Sequence, residues 1–298
     1  MREGEADGGS EMPRAVIVVS SHVARGSVGN RAAVFALETL GFPVWAVPTV
    51  ILPWHPGHSR ATRIVPPPEQ FAALMGDLES SPWLGEVAAV LSGYLGEARQ
   101  ADAVASLVRS VRARNPGATY VCDPVIGDAE GLYVPQATAE AIRDVLMPLA
   151  DVATPNVHEL AWLTGRPPGG ITETVETAAN AGPETMLVTS APAMIGGSIG
   201  NLLVTPSQAL LAEHRTIERP PNGLGDLTAA VFLARKLAGS PPEKALQSTT
   251  AAVFEILART ARRGGDELQI ETDAASLSTP MAMVQMRRLA LPGGDRRA

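Results

Sequence analysis

The chain has a single cysteine, Cys122, in 298 residues, which excludes an internal disulfide and a zinc site built from several thiolates, and fits folding in a reducing compartment. It also lacks the roughly 18 to 20 consecutive apolar residues that a helical membrane span requires. Proline, glycine or charge breaks every apolar run, so the expectation is a cytoplasmic protein with no membrane partner. Positive charge is scarce too. Twenty-four Lys and Arg against 31 Asp and Glu give a formal net charge of −7, which opposes the many phosphate contacts of nucleic-acid binding. There is no linker, internal repeat or low-complexity block to divide the chain. An early G-x-G-x-x-G between first strand and first helix is also missing, which argues against a dinucleotide-binding oxidoreductase.

What is present is a regular alternation. Apolar residues make up 45% of the chain, enough for a sizeable core. The run A-V-I-V-V-S at 15–20 is short, β-branched and closed by polar residues, as a strand buried on both faces would be. Segments of the same kind recur at 44–50, 87–92, 118–122, 152–154 and 186–189. Between them, apolar positions three and four apart predict helices near 29–40, 68–79, 98–113, 135–147, 156–164 and 171–181. Segments at 200–204 and 208–217 have no helix between them and predict an antiparallel addition to one sheet edge. Two long helices follow, near 225–238 and 242–262. The expected fold class is α/β, a mainly parallel doubly wound sheet with helices on both faces and ligands at the carboxyl ends of the strands. Residues 14–272 are expected to form one domain. Residues 1–13, acidic and glycine-rich, read as a frayed tail, and 273–298 as an extension of open role.

The most informative residues are Asn222-Gly223-Leu224-Gly225-Asp226, directly ahead of the helical run L-T-A-A-V-F-L-A-R-K-L. Glycines allow a tight turn with N–H groups pointing outward, and a helix starts at the same place. Backbone donors and the helix dipole therefore converge where an anion, most naturally phosphate, would sit. A carboxylate beside an anion site is unfavourable unless it works as a general base, taking the proton of an attacking hydroxyl while the amides stabilise a transferring phosphoryl group. Simple helix capping by Asp226 is the alternative.

Together with other segments, this motif resembles the ribokinase-like superfamily and, within it, the pyridoxal kinase family. Ser21-His22-Val23-Ala24-Arg25-Gly26-Ser27-Val28-Gly29-Asn30 is similar to the family's S-H-V-x-x-G-x-V-G-N signature. Leu91-Ser92-Gly93-Tyr94-Leu95-Gly96, Cys122-Asp123-Pro124-Val125-Ile126-Gly127-Asp128, Thr154-Pro155-Asn156 with Glu159, and Val188-Thr189-Ser190 follow in the family's order. The resemblance implies ATP-dependent phosphorylation of the 5′-hydroxymethyl group of pyridoxal, in vitamin B6 salvage, by a ribokinase-like fold that is often a homodimer. It assigns Asp226 as catalytic base and the backbone of Gly223, Leu224 and Gly225 as the anion hole. Ser21, Val50, His55 and Tyr94 are implied to hold the substrate ring. Asp123, Asp128, Thr154, Asn156, Glu159, Thr189 and Ser190 are implied around the ATP phosphates, with Mg²⁺ held by Asp123 and Glu159, partly through water, and K⁺ as the accompanying monovalent cation.

Two departures stand out. Leu224 replaces the family's Thr or Val, which leaves the backbone donors intact, and Pro56 replaces a small hydroxyl residue, which stiffens the loop and removes a polar contact. His55 and His58 have a metal-like spacing but no third ligand, so solvent-facing imidazoles are the simpler reading. Two other functions stay open at this point. A hydroxymethylpyrimidine kinase shares the late G-x-G-D motif, and a non-catalytic protein that binds pyridoxal or its phosphate could keep the pocket without the chemistry.

Overall fold

A computed structural model describes residues 15–292; the tail expected at 1–13 lies outside them. Its strands are β1 (Ala15–Val23), β2 (Val44–Leu52), β3 (Val87–Ser92), β4 (Thr119–Cys122), β5 (Gly127–Asp128), β6 (Gly131–Leu132), β7 (Val152–Ala153), β8 (Thr185–Pro192), β9 (Ser198–Thr205), β10 (Gln208–Arg215) and β11 (Gln285–Leu289). Its helices are α1 (Asn30–Thr39), α2 (Pro68–Glu79), α3 (Gln100–Arg114), α4 (Gln136–Ala141), α5 (Val157–Thr164), α6 (Ile171–Ala179), α7 (Leu224–Leu237), α8 (Pro242–Arg262) and α9 (Ala275–Ser278).

Nine strands form one sheet in the order β11-β10-β9-β8-β7-β4-β3-β1-β2, and β5 and β6 form a separate small hairpin. Pairings from β2 through β8 are parallel, and those of β8 with β9, β9 with β10 and β10 with β11 are antiparallel. The side-chain period of two sorts β1 into two cores. Ile17 and Val19 face a layer that includes Phe71 and Met75 of α2, Leu107 of α3 and Leu160 of α5. Val16 and Val18 face the opposite layer, with Leu37 of α1, Phe232 of α7, Ile256 of α8 and Leu277 of α9. All four β1 residues are at most 1% exposed. At about 1.5–3 kcal/mol for each such side chain removed from water, the two faces hold the strand in one register. The expected doubly wound architecture is what the chain adopts.

The structure differs from the sequence reading in a few places, each with a local cause. The helix expected over 135–147 stops being regular at Ala141 and continues as a π turn (Ile142–Leu146) and a 3-10 turn (Met147–Leu149), where Pro148 has no N–H to donate. β1 runs three residues beyond Ser20, past an irregularity between Ser20 and His22 that re-aims Ser21. Within 273–298, Gln285–Leu289 pairs along β10 as an edge strand, and 293–298 lie outside the described residues. Among the described residues, no helix is long and apolar enough to cross a membrane.

Candidate active site

The chain runs from β1 outward to β2, then returns across β1 to β3 on its other side. That reversal opens a crevice at the carboxyl ends of β1 and β3. A cleft of about 720 Å³ occupies it, lined on one side by the ends of β1 and β2 and the loops after β2 and β3, and on the other by Thr189 and Ser190 of β8 and the segments following β4 and β7. The start of α7 lies between them.

At this junction the two glycine-rich motifs meet. Gly223 has φ of 93°, and a Cβ there would stand 2.1 Å from the Ser27 carbonyl oxygen; Gly29 has φ of 55°, and a Cβ there would stand 2.3 Å from Ser21 Oγ. Only glycine allows both the backbone angle and the approach. The result is a helix whose first-turn N–H groups open toward the cleft, with Gly223, Gly225 and Asp226 among its lining residues. Leu224 turns its side chain toward the α1–α7 core, so its replacement of Thr or Val changes packing there.

Asp226 sits in the first turn of α7. Burial raises its carboxyl to about 6, against the lowering effect of the Gly29 and Asp226 backbone N–H groups. Asp123, 5% exposed at the end of β4, is pushed well above the usual carboxylate range by burial and by the negative charges of Asp226 and Glu159. Thr154 donates its hydroxyl to Asp123 Oδ1 at 2.8 Å. Three carboxylates thus crowd one corner. Among the described residues, no group of three or more His, Cys, Asp or Glu side chains is arranged to hold a metal ion directly. Carboxylates gathered beside the Thr154 hydroxyl are the oxygen donors that a hydrated divalent cation takes.

Glu159 is tied down more than the sequence reading supposed. Its Oε1 accepts from the Ile126 N–H at 2.8 Å and the Gly127 N–H at 3.4 Å, and its Oε2 accepts from the Asn156 N–H at 2.9 Å. Asn156 Oδ1 in turn accepts from the N–H groups of His158 at 2.8 Å and Glu159 at 2.9 Å, a reciprocal cap on α5. Asn156 Nδ2 also donates to the Gly127 carbonyl at 2.9 Å. Both residues therefore anchor the base of the β5–β6 hairpin, which carries Asp128 at the cleft. Burial nevertheless raises the Glu159 carboxyl to about 7.

Thr189 and Ser190 line the same side. Ser190 (φ 54°) and Val125 (φ 46°), both lining residues, are two of the three non-glycine residues with positive φ among the described residues. Each costs about 1–2 kcal/mol, and strain of this kind gathers at functional sites.

On the opposite side, Ser21, His55 and Tyr94 line the cleft. Val50 is fully buried and stands behind this wall, packed with Val23, Val28 and Leu52. Burial lowers the His55 imidazole below its ordinary value, with nearby Glu267 opposing the shift and His58 adding to it. His58 Nε2 lies within hydrogen-bond distance of Glu267 Oε1, at 2.7 Å, and is engaged there. Several lining residues escaped sequence reasoning. Arg63 gives no signal by type or spacing, and Glu130, Leu132 and Tyr133 lie in or directly after a hairpin whose strands are two residues each. Burial and the nearby charges of Glu159 and Asp123 raise the Tyr133 hydroxyl above its ordinary value.

Comparison with known proteins agrees with this geometry. The family model described as phosphomethylpyrimidine kinase matches residues 67–270. A pyridoxal kinase PdxY from Rubrobacter xylanophilus is 37% identical over 282 residues, spanning 92% of this chain and 97% of the relative. One from Leifsonia xyli is 35% identical, spanning 92% and 99%. Among solved structures, pyridoxal kinase from Leishmania donovani in complex with ADP and pyridoxamine superposes with a TM-score of 0.86 at 28% identity, covering 93% of this chain and all of that one. With relatives above 30% identity along nearly their whole length, the chain belongs to the pyridoxal kinase family.

Proposed function

We propose that the chain transfers the γ-phosphoryl group of ATP to the 5′-hydroxymethyl group of pyridoxal, as a cytoplasmic enzyme of vitamin B6 salvage. The observation that carries this reading is the placement of Asp226: a carboxylate raised to about 6 at the start of α7, between an aromatic, hydroxyl- and imidazole-bearing wall and a wall of acids and hydroxyls. The flat heterocycle lies along Ser21, His55 and Tyr94, and the nucleotide phosphates lie along Thr154, Asn156, Thr189 and Ser190. Asp226 accepts the hydroxyl proton as the oxygen attacks phosphorus. The backbone N–H groups of Gly223, Leu224 and Gly225 hold the charge that spreads over the phosphoryl oxygens.

Asp123 and Glu159 would hold magnesium through water, and magnesium when bound neutralises phosphate charge. Thr154 keeps Asp123 oriented, and the hairpin bearing Asp128 closes over the phosphates. Potassium is the proposed monovalent partner, and a homodimer the proposed assembly.

A hydroxymethylpyrimidine acceptor is the second reading, favoured by the description of the matching family model. That match begins at residue 67, whereas the full-length relatives also align across the residues of the ring pocket. This supports pyridoxal. Purified protein offered pyridoxal, pyridoxine, pyridoxamine and hydroxymethylpyrimidine with ATP, magnesium and potassium varied, tests the assignment. Turnover of the pyrimidine equal to that of the B6 vitamers would defeat it. Tight vitamer binding without ATP consumption would mean a binding protein.

A further inference from the structure

Arg63 is the one lysine or arginine lining the cleft among the described residues, against five carboxylates: Asp123, Asp128, Glu130, Glu159 and Asp226. Its Nη2 donates to the Gly96 carbonyl at 2.5 Å and lies 3.4 Å from the Tyr94 hydroxyl. That anchor is itself braced. The Gly96 N–H donates to Gln100 Oε1 at 2.7 Å, and Gln100 Nε2 donates to the Thr49 carbonyl at 2.9 Å, with Gln100 and Thr49 both fully buried. From the other side, Ile64 exchanges backbone hydrogen bonds with Ile51 of β2 at 2.8 and 3.0 Å. The guanidinium is thus held beside Tyr94 by two separate attachments.

Neither a carbonyl nor a phenol neutralises a guanidinium. Arg63 forms no ion pair among the described residues. It has five N–H donors and no acceptor, so the group it favours is an oxygen anion, and the group it disfavours is another donor. The acids are all on Asp226 or in residues 123–159, and Arg63 belongs to the wall of His55 and Tyr94, where the acceptor ring is placed.

We propose that Arg63 reads the ring oxygen of the acceptor, binding the ionised 3-hydroxyl of a 3-hydroxypyridine and so selecting that ring over a 4-aminopyrimidine. The inference rests on the pyridoxal reading above and specifies how that ring is recognised. An electron-poor pyridine, and a formyl group beside the hydroxyl, acidify the 3-hydroxyl enough to ionise near neutral pH. An aminopyrimidine of the same outline instead presents N–H donors, which leave the guanidinium unpaired and repel it.

The test compares wild type with Arg63→Gln and Arg63→Lys on three acceptors: pyridoxine, its analogue lacking the 3-oxygen, and 4-amino-5-hydroxymethyl-2-methylpyrimidine. Arg63→Gln is expected to raise the KM for pyridoxine by about tenfold to a hundredfold, the range of a charge-assisted hydrogen bond, with a smaller change in kcat. The analogue without the oxygen should be unaffected, and Arg63→Lys should restore part of the loss. Arg63 is exposed, so folding is not at stake; an unchanged Tm and nucleotide KM verify this. An equal loss on all three acceptors, or none, overturns the proposal, since the guanidinium would then serve the phosphate or the loop. Binding is read independently, from the absorption of the 3-hydroxypyridine chromophore. At one fixed, mildly acidic pH, wild type should hold more of the ligand ionised than Arg63→Gln does, and equal spectra count against Arg63. If wild type turns over no B6 vitamer, the kinase assignment falls, while this spectral comparison still decides the role of Arg63.

Discussion

Gly223 packs against Ser27 with no room for a side chain: a Cβ would stand 2.1 Å from the serine's carbonyl oxygen. Two motifs far apart in the chain are therefore in direct backbone contact, and the anion-binding turn takes its shape from both. Gly223→Ala must relieve the clash by moving the turn, and it also places a Cβ at φ 93°. We expect kcat to fall on the order of a hundredfold, as when an oxyanion donor is displaced, together with a lower Tm. Gly225→Ala, where a Cβ meets nothing within 4 Å, should lose far less. Equal losses in the two variants would mean that the contact does not shape the site.

Asp226→Asn keeps the outline and removes the proposed base. General base catalysis contributes about a hundredfold to ten-thousandfold, so kcat should fall into that range while the pyridoxal Kd changes little. The wild-type rate should also decline as pH drops through about 6, because a protonated Asp226 cannot accept the hydroxyl proton. An Asp226→Asn variant that turns over at the wild-type rate would remove this residue from the mechanism.

The same burial acts on stability. Folding raises Asp226 from 3.8 to about 6 and Glu159 from 4.5 to about 7. In that window the folded chain binds more protons than the unfolded one, so these two groups favour the fold at the acid end, and that contribution is lost as pH rises through 6 to 7. His22, His55 and His214, lowered by burial, act in the opposite direction. The decisive quantity is therefore a difference. Thermal melts of nucleotide-free wild type and Asp226→Asn, run from about pH 5 to 7.5, should show the variant gaining on wild type as pH rises. A gap that stays constant or closes would contradict the assigned direction.

Asn156 caps α5 and holds the Gly127 carbonyl at the foot of the β5–β6 hairpin. Asn156→Ala is expected to cost about 1 kcal/mol of stability, the usual loss for an N-cap. It should raise the KM for ATP several times more than the KM for pyridoxal if the hairpin closes over the phosphates as proposed. Equal effects on both constants would place the hairpin elsewhere in the cycle.

Much of this architecture was legible in the chain. β1, β3 and β4 announced themselves as short apolar runs because they are buried on both faces, and α7 because glycines and an acid precede a helical pattern. β11 was missed for the converse reason: Q-M-R-R-L lies on a sheet edge, where polar side chains are tolerated and the apolar signal fades. β5 and β6 are two residues each, too short for any periodicity. In the site, residues carried by a motif could be named in advance, among them Ser21, Asp123 and Asp226. Arg63 could not, because its place depends on the Gly96 carbonyl and the Ile51–Ile64 pairing, neither of which leaves a mark on residue type. Val50 shows the limit from the other side, since an apolar residue at a strand end reads the same whether it faces the cleft or, as here, the packing behind it.

The reversal of strand order between β2 and β3 has one more effect. The wall proposed for the ring comes from the first hundred residues and the wall proposed for the phosphates mostly from the next hundred, with the start of α7 between them. On that proposal, changes confined to the loop after β2 alter which alcohol is accepted and leave the opposite wall of acids and hydroxyls in place.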